Sequence, residues 1–470
     1  MNRVLPAAGV EFPLQVPVLI IGGGACGLTA ALAAHDAGVE VLVLERDPSP
    51  SGSTAMSSGM IPAAGTDLQH QSGVVDSAEL MAADIQAKAH GENDPAMVAA
   101  ICAASGATLD WLVQHHHVPL TLVEGFLYPG HSVARMHAPV SRSGADLIAG
   151  LLAATNAAGI DIVCNATVTT LFADPDGRVR GVALQRPDGN EERIGCAALV
   201  LACSGFGGNA ELVARHIPEM AGALYYGHAG NRGDALLWGE LLGAATHHLG
   251  AYQGHGSLAA PHAILITWAL MVEGGFQVNA RGERFSCEHD GYSEQAMRVI
   301  QQPGSVAWNI YDERLHRLGL DFGDYREAVE AGAVKSAPDI AALAASCGLP
   351  GEALAATLAE TRRLVAGEGQ DRFGRDFTGK PPLAGPFHAV KVTGALFHTQ
   401  GGLAIDSEAR VLRSDGTALP NLFAGGGAAC GLSGQGRDGY LSGNGLLAAT
   451  VLGAKAGRSA ADYSNLVSDT

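Results

Sequence analysis

The chain has 470 residues, and 47 acidic against 29 basic side chains give it a net charge of −18 at pH 7. Such acidity excludes non-specific binding to nucleic acid or to anionic membranes, because both need positive charge. Hydrophobic residues make up 47% and charged residues 16%, which excludes a disordered chain and predicts a well-buried globular protein of two or three domains.

The N-terminal region carries no recognisable targeting signal. Residues 1–16 lack a basic segment followed by an apolar run with a small-residue end, and we find no apolar stretch of about 18 residues that would span a bilayer. The eight cysteines are scattered, with no spacing typical of a zinc site or a redox dithiol. We therefore expect a cytoplasmic protein with free thiols, no membrane span and no metal site.

Residues 18–45 predict a complete βαβ unit. The apolar run Val18–Ile21 is typical of a buried parallel strand, and a G-x-G-x-x-G sequence follows it at once. Residues 28–38 are rich in alanine and predict a helix, and a second strand ends at Glu45. The glycines would let the backbone approach a pyrophosphate at the helix N-terminus, and Glu45 lies where a carboxylate accepts ribose hydroxyl groups.

Three further segments favour FAD over NAD. A small-residue loop, 47–65, follows the acidic strand end. Two more apolar strands open into glycines, at 198–209 and at 422–427. A dinucleotide contacted from both ends of the chain suits FAD, whereas an NAD site is usually built from one contiguous half.

Together these segments resemble the flavoprotein family of fumarate reductases, succinate dehydrogenase flavoprotein subunits and 3-ketosteroid dehydrogenases. The resemblance covers nearly the whole chain. Besides the βαβ unit, it rests on the segments 52–54, 57–59, 166–168, 278–285 with Glu288, 398–402 and 441–445.

The resemblance implies an α/β fold with a discontinuous, Rossmann-like FAD-binding domain, residues 1–250 and 380–470, and an inserted α+β substrate-capping domain, residues 251–379. Motif and resemblance together predict that FAD contacts Gly22, Gly24, Ala25, Cys26, Gly27, Glu45, Arg46, Ser53, Thr54, Ser58, Gly59, Val168, Ser204, Gly205, Asn209, Gly426, Gly443, Asn444 and Leu446.

The chain departs from the fumarate reductase pattern at the substrate positions. The proton-donor arginine of that pattern falls on Tyr292, and the C-terminal substrate arginine falls on Tyr440. The relay glutamate and arginine fall on Trp268 and Met271, and one substrate histidine falls on Phe397; the other is matched by His255. Two carboxylates in such a pocket would be desolvated without partners, which costs several kcal/mol each. This pattern argues against fumarate or succinate as the substrate.

The replacements resemble the 3-ketosteroid dehydrogenase branch. That resemblance implies that Tyr292 takes or delivers a proton and that Tyr440, with Ser442, binds the ketone oxygen. Tyr128 is a weaker match to a third tyrosine, so the proton acceptor is either Tyr292 or Tyr128, and His255 is either a site residue or a turn residue. Desaturation of a ketone removes an α proton and a β hydride, and hydroxyl donors at the carbonyl stabilise the developing enolate. A tyrosine serves as the base provided that its neighbours lower its pKa from about 10.

The sequence therefore predicts an FAD-dependent desaturase of a cyclic ketone, either a 3-ketosteroid or a smaller oxocyclohexane, with oxygen or a quinone-like molecule as electron acceptor. A smaller ring acid would need a cation, and His131, Arg135 and His137 either bind such a carboxylate or a phosphate, or face solvent. The alternatives are a flavin-dependent ene-reductase of a carboxylic acid and a non-catalytic FAD-binding electron carrier. The run His115–His117 is interpreted as a solvated helix end, since adjacent histidines on a helix point different ways.

Overall fold

A computed structural model of the chain describes residues 3–468. The strands of this part are β1 (Arg3–Pro6), β2 (Leu14–Ile21), β3 (Val41–Leu44), β4 (Ile61–Pro62), β5 (Thr121–Leu122), β6 (Met136–Ala138), β7 (Asp161–Val163), β8 (Thr167–Ala173), β9 (Val179–Gln185), β10 (Glu191–Leu201), β11 (Leu224–Tyr225), β12 (Thr246–His247), β13 (Tyr252–Ala259), β14 (Phe276–Val278), β15 (Val306–Asp312), β16 (Val334–Ala337), β17 (Phe387–Thr399), β18 (Gly402–Leu403), β19 (Arg410–Leu412) and β20 (Ala418–Ala424).

The helices of the same part are α1 (Ala25–Asp36), α2 (Gly52–Ala55), α3 (Asp67–Gln71), α4 (Ala78–Lys88), α5 (Pro95–Gln114), α6 (Gly144–Ala157), α7 (Ala210–His216), α8 (Asp234–Leu241), α9 (Ala269–Val272), α10 (Tyr292–Ile300), α11 (Glu313–Gly319), α12 (Gly323–Glu330), α13 (Ile340–Cys347), α14 (Gly351–Val365) and α15 (Asn444–Ser468).

The first sheet is built on the predicted βαβ unit. Strands β20, β10, β2, β3 and β7 lie side by side and run parallel. The long strand β10 belongs to two parts of this sheet, because its first half pairs antiparallel with β9 while its second half pairs with β2 and β20. The apolar residues that predicted β2 and β3 are buried on both faces, as expected for central parallel strands.

Helices α1 and α15 cross at very short range above this sheet. A Cβ at Gly457 would lie 2.1 Å from the carbonyl oxygen of Ala30, and one at Gly453 would lie 2.5 Å from that of Cys26. Only glycine permits such an approach. The contact ties the C-terminal helix to the N-terminal unit, so both ends of the chain reach the same region. The mixed α/β, Rossmann-like fold predicted from the sequence is confirmed.

A second sheet is centred on β17. Strands β13, β15 and β16 pair antiparallel with β17, and β11 pairs parallel with it. Helix α10 lies against this sheet: a Cβ at Gly394 in β17 would be 2.1 Å from the carbonyl oxygen of Ala296. Because the sheet includes β11 and β17, it reaches across both predicted boundaries of the capping domain, 250/251 and 379/380, which therefore stay predictions.

Helix α5 contradicts the expectation that no apolar stretch of the chain is long enough to span a bilayer. By length and composition it is apolar enough to cross a membrane, and 44% of its most apolar window is buried inside the protein. The absence of a membrane span therefore stays a prediction. All eight cysteines are free, as expected.

Candidate active site

One cleft runs from the N-terminus of α1 to a group of aromatic side chains between the two sheets. Its near end is lined by backbone and small side chains of the first sheet, including Gly22, Gly24, Ala25, Cys26, Glu45, Arg46, Ser53, Thr54, Ser58, Val168, Ser204, Gly426, Gly443 and Leu446. Its far end is lined by neutral and mostly aromatic side chains, including Met60, Tyr128, Tyr226, His255, Leu265, Thr267, Trp268, Tyr292, Phe397, Tyr440 and Ser442. The sequence-predicted tyrosines, His255 and Ser442 therefore share one end of a single cleft.

The near end has the features of a dinucleotide site. Glu45 accepts hydrogen bonds from the Gly23 N–H at 2.8 Å and from the Asp47 N–H at 2.9 Å, which fixes its carboxylate beside the glycine turn. A Cβ at Gly27 would lie 1.8 Å from the Gly22 carbonyl oxygen, so the tight strand-to-helix turn requires glycine. The first turn of α1 carries no acidic side chain and opens on the cleft, which favours an anion there.

The wall opposite α1 includes residues that the motifs did not indicate. Ser53 accepts hydrogen bonds from the His228 N–H at 3.0 Å and from the Asn231 amide at 2.8 Å. The His228 ring pairs with Asp47 at 2.7 Å. His228 and Asn231 both lie in the glycine-rich run 227–233. That run is the feature of the sequence that could have indicated them.

The residues present fit FAD. Asn444 is fully buried between Gly443 and Gly445, which both line the cleft, and neither atom of its amide has a hydrogen-bond partner among the described residues. A buried polar group without a partner costs about 1–3 kcal/mol, so a polar ligand at this helix start would relieve that cost. FAD would be held by Glu45 and the glycine turn at one end and by the start of α15 at the other.

Five of the predicted cofactor residues do not themselves line the cleft. Gly27 and Gly59 allow close backbone contacts, with Gly22 and with Ser143 respectively, and Gly205 would meet the Thr399 hydroxyl at 1.9 Å if it carried a Cβ. Asn209 caps α7 by accepting from the N–H groups of the first helical turn. These four residues support the cleft from behind, because turn glycines and the Asn209 cap hold the backbone that faces the ligand. The fifth, Asn444, lies between two residues that line the cleft.

At the far end, Tyr292 lies at the centre of the aromatic group. Its ring stacks on His255 at 4.6 Å and meets the rings of Tyr128 and Tyr440 at 6.1 Å each, measured between centroids. His255 in turn stacks on Phe397 at 5.1 Å. Tyr292 begins α10, which packs on the second sheet, and Tyr440 lies just before α15, which packs on the first sheet.

Burial keeps these groups neutral. It raises the pKa of Tyr292 well above its ordinary value, and Tyr440 adds to that rise while Ser442 opposes it. Burial likewise raises the pKa of Tyr128 and of Tyr440 to about 12 each and lowers the pKa of His255 to about 3. The condition set for a tyrosine base, a lowered pKa, is therefore not met by the side chains around Tyr292, because none of them is a cation.

The arginines of the second-sheet region lie behind the cleft wall. Arg284 bonds Glu288 at 2.7 Å and Asp371 at 2.8 Å, and Arg375 pairs with Glu288 at 3.1 Å, all of them buried. The Trp268 indole N–H donates to the Glu288 backbone carbonyl at 3.1 Å and separates this cluster from the cleft. Among the described residues that line the cleft, Arg46 is the one arginine or lysine, and it pairs with Asp234 at the near end.

The three candidate cations of the segment 131–137 are also held inside the protein. Arg135 is buried and bonds two carboxylates at 2.8–3.1 Å. His131 donates to the Ser442 backbone carbonyl at 3.0 Å, and His137 bonds the Thr66 hydroxyl at 2.9 Å. The alternative that they face solvent is wrong, because each is buried. None of the three lines the cleft, and the ring Nδ1 of His131 and of His137 has no hydrogen-bond partner among the described residues, so binding of a carboxylate or a phosphate stays a prediction.

A separate group of possible metal ligands lies at the C-terminus of α5. Asp36, His115 and His116 each bring one ligand atom to within 4.8 Å of the others. The interpretation of this run as a solvated helix end did not predict that grouping.

Comparison with known proteins assigns the chain to a family and gives two kinds of relative. The profile of the FAD binding domain family matches residues 17–446. The sequence is 28% identical over 451 residues to a fumarate reductase (cytochrome) of Shewanella frigidimarina, covering 96% of this chain and 77% of that protein. It is 27% identical over 559 residues to 4-oxocyclohexanecarboxylate 2-dehydrogenase of Sinomonas cyclohexanicum, covering 94% and 93% respectively. The chain spans about half, 48%, of an NADH:fumarate oxidoreductase of Klebsiella pneumoniae to which it is 28% identical.

Solved structures of both kinds share the fold. The open conformation of a flavocytochrome c3 fumarate reductase matches with a TM-score of 0.80 and 29% identity, over 97% of this chain and 80% of that one. The 3-ketosteroid-Δ4-(5α)-dehydrogenase of Rhodococcus jostii RHA1 matches with a TM-score of 0.76 and 25% identity, over 98% and 100%. The match of the FAD binding domain family to residues 17–446 confirms the predicted cofactor, FAD.

Proposed function

Since the chain belongs to the FAD binding domain family and is an FAD-dependent oxidoreductase acting on CH–CH groups, we propose that it desaturates a cyclic ketone of the 3-ketosteroid or oxocyclohexane type. One observation carries the proposal: the far end of the cleft presents phenols, a hydroxyl group and a neutral histidine, and the described residues that line it there include no arginine or lysine. Such a surface suits an uncharged carbonyl, because a carboxylate placed there would lose its hydration without gaining a partner.

Three polar side chains at the far end have roles in this reaction. Tyr440 and Ser442 donate hydrogen bonds to the ketone oxygen and stabilise the negative charge that develops there when the α proton leaves. Tyr292 receives that α proton. When bound, FAD would supply the acceptor for the β hydride, which leaves with the two electrons of its C–H bond, while the electrons left by the α proton form the new C=C bond. Trp268 and Phe397 exclude water from the ring.

The raised pKa of Tyr292 affects the two directions differently. A protonated phenol is ready to donate, so reduction of the enone needs no prior ionisation. Desaturation needs the phenolate, so we expect its rate to increase with pH.

A second candidate function is reduction of an unsaturated carboxylic acid. The same protonated Tyr292 favours it, since this residue occupies the proton-donor position of the fumarate reductase pattern, and fumarate reductases are among the relatives. The neutral far end of the cleft argues against this second function, because it offers a carboxylate no positively charged partner.

An anaerobic half-reaction experiment distinguishes the candidates. Loss of the flavin absorbance when oxidised holoenzyme meets cyclohexanone-type ketones or a saturated 3-ketosteroid supports desaturation. Reoxidation of reduced holoenzyme by fumarate, with no response to any ketone, rejects it in favour of acid reduction. A flavin that responds to neither class rejects both and identifies an electron carrier.

A further inference from the structure

His398 lines the cleft where its two ends meet. It lies on β17 directly after Phe397, which belongs to the aromatic far end. On the other side, its Nε2 atom would lie 2.8 Å from a Cβ at Gly427, which also lines the cleft and follows Gly426 of the near end. The isoalloxazine ring of FAD has to lie between the dinucleotide part of the cleft and a substrate at the far end, because it exchanges a hydride with that substrate. We therefore expect this ring beside His398.

Two buried side chains fix the position of the His398 proton. The Ser433 hydroxyl donates to Gln400 Oε1 at 3.1 Å, and Gln400 Nε2 lies 2.9 Å from His398 Nδ1. Because its oxygen is engaged by Ser433, the Gln400 amide presents an N–H group to the ring, so Nδ1 accepts. Ser433 and Gln400 are 1% and 3% exposed, so water does not compete for these bonds. A neutral imidazole that accepts at Nδ1 carries its proton on Nε2.

The His398 ring is neutral, and its Nε2 lies beside the glycine wall of the cleft. Burial lowers the pKa of His398 to about 4, and the Thr399 backbone opposes that shift only in part. The ring therefore carries a single N–H group at pH 7. No side chain intervenes at Gly427, since any Cβ there would collide with Nε2. His398 thus presents an uncharged hydrogen-bond donor to the group that occupies this part of the cleft.

We propose that His398 donates a hydrogen bond from Nε2 to the isoalloxazine ring of bound FAD, and that Gln400 and Ser433 hold the imidazole in the tautomer that donates. The flavin ring gains negative charge when it is reduced, so this donor binds the reduced ring more tightly than the oxidised ring. The contact thereby raises the reduction potential of the flavin and favours its acceptance of a hydride. Gln400 and Ser433 are positioning residues. The inference goes beyond the proposed desaturation, because it concerns the cofactor and applies to any substrate.

The test measures the two-electron midpoint potential of the holoenzyme, by anaerobic equilibration with a redox dye and without substrate. His398→Phe keeps a flat ring and removes the donor, whereas His398→Gln offers an amide N–H group in its place. Gln400→Leu keeps the imidazole and removes the group that fixes its tautomer. Gln277→Leu is the matched control, because Gln277 is a glutamine of similar burial, 1% exposed, which bonds the Gly256 carbonyl at 2.8 Å and does not line the cleft.

We expect His398→Phe to lower the equilibrium constant for flavin reduction about 10- to 100-fold, the value of a hydrogen bond to a charged group, which is a midpoint potential about 30–60 mV lower. His398→Gln should recover part of this loss. Gln400→Leu should lower the equilibrium constant about threefold or more, or about 15 mV, because it removes one neutral hydrogen bond that favours the donating tautomer. Gln277→Leu should have the wild-type potential.

Two results would overturn the proposal. A His398→Phe potential equal to or above that of wild type rejects the contact with the flavin, and a Gln400→Leu potential equal to that of Gln277→Leu rejects the role of Gln400. If His398→Phe does not retain FAD, Gln400→Leu decides alone, because it leaves the imidazole in place. Since no substrate is added, failure of the proposed desaturation does not alter the measurement.

Discussion

Replacing Tyr292 by phenylalanine tests the proton transfer directly. The change removes one hydroxyl group and keeps the ring, which makes the packing contacts with His255, Tyr128 and Tyr440. We therefore expect the variant to fold and to bind FAD like wild type, with the free energy of unfolding changed by about 1 kcal/mol at most.

The expected loss of rate follows from the neighbours of Tyr292. A positioned general acid or base contributes about 10²- to 10⁴-fold. The neighbouring groups are poor substitutes at neutral pH, because the pKa of Tyr440 is about 12 and that of His255 is about 3. We therefore expect flavin reduction by the ketone to slow by a factor near the upper end of that range, about 10³ to 10⁴.

The assay is anaerobic stopped-flow measurement of flavin reduction by a saturating ketone. Tyr311→Phe is the matched control, since it removes a buried tyrosine hydroxyl that bonds Tyr325 at 2.7 Å, away from the cleft. It should react at the wild-type rate. A Tyr292→Phe enzyme that retains more than about a tenth of the wild-type rate would refute the role of Tyr292 as proton acceptor.

Three other predictions concern pH, cofactor binding and stability. Because burial raises the pKa of Tyr292 well above 10, kcat/KM for desaturation should rise about tenfold per pH unit from pH 7 to 9, while enone reduction stays flat; a plateau for desaturation beginning near pH 7 would contradict this. Glu45→Gln removes the charge that accepts the Gly23 N–H, so FAD should dissociate about tenfold more readily, as measured by the recovery of free-flavin fluorescence; an unchanged dissociation constant would exclude that role. Glu288→Gln leaves the buried Arg375 without its carboxylate and Arg284 with Asp371 alone, and it should lower the free energy of unfolding in urea by about 3–5 kcal/mol, whereas the exposed Glu283→Gln should unfold near the wild-type midpoint. Burial opposes ionisation of Glu288, but Arg375 and Arg284 outweigh it and lower its pKa to about 2, so its stabilisation is present above about pH 4.5 and is lost as the pH falls towards 2.

The sequence by itself determined the cofactor and indicated the candidate site residues. Glycines at fixed spacing and an acidic strand end specify how the local backbone turns, and within a βαβ unit a turn of that kind is suited to a dinucleotide. Tyr292, Tyr440 and Ser442 were predicted from their spacing in the sequence relative to family motifs. The structure brings all three to one end of the cleft.

Only the tertiary structure decided where the charges lie. Arg135 was a candidate ligand for a carboxylate, yet its partners Asp84 and Asp76 are 51 and 59 residues away in sequence, and no local pattern reveals such pairs. The pKa of Tyr292 also depends on the tertiary structure. A tyrosine base would need a lowered pKa, but burial among neutral side chains raises it. Motifs record the short-range geometry of the backbone, whereas burial and ion pairing depend on which distant segments meet when the chain folds. The neutral far end of the cleft is therefore a property of the fold.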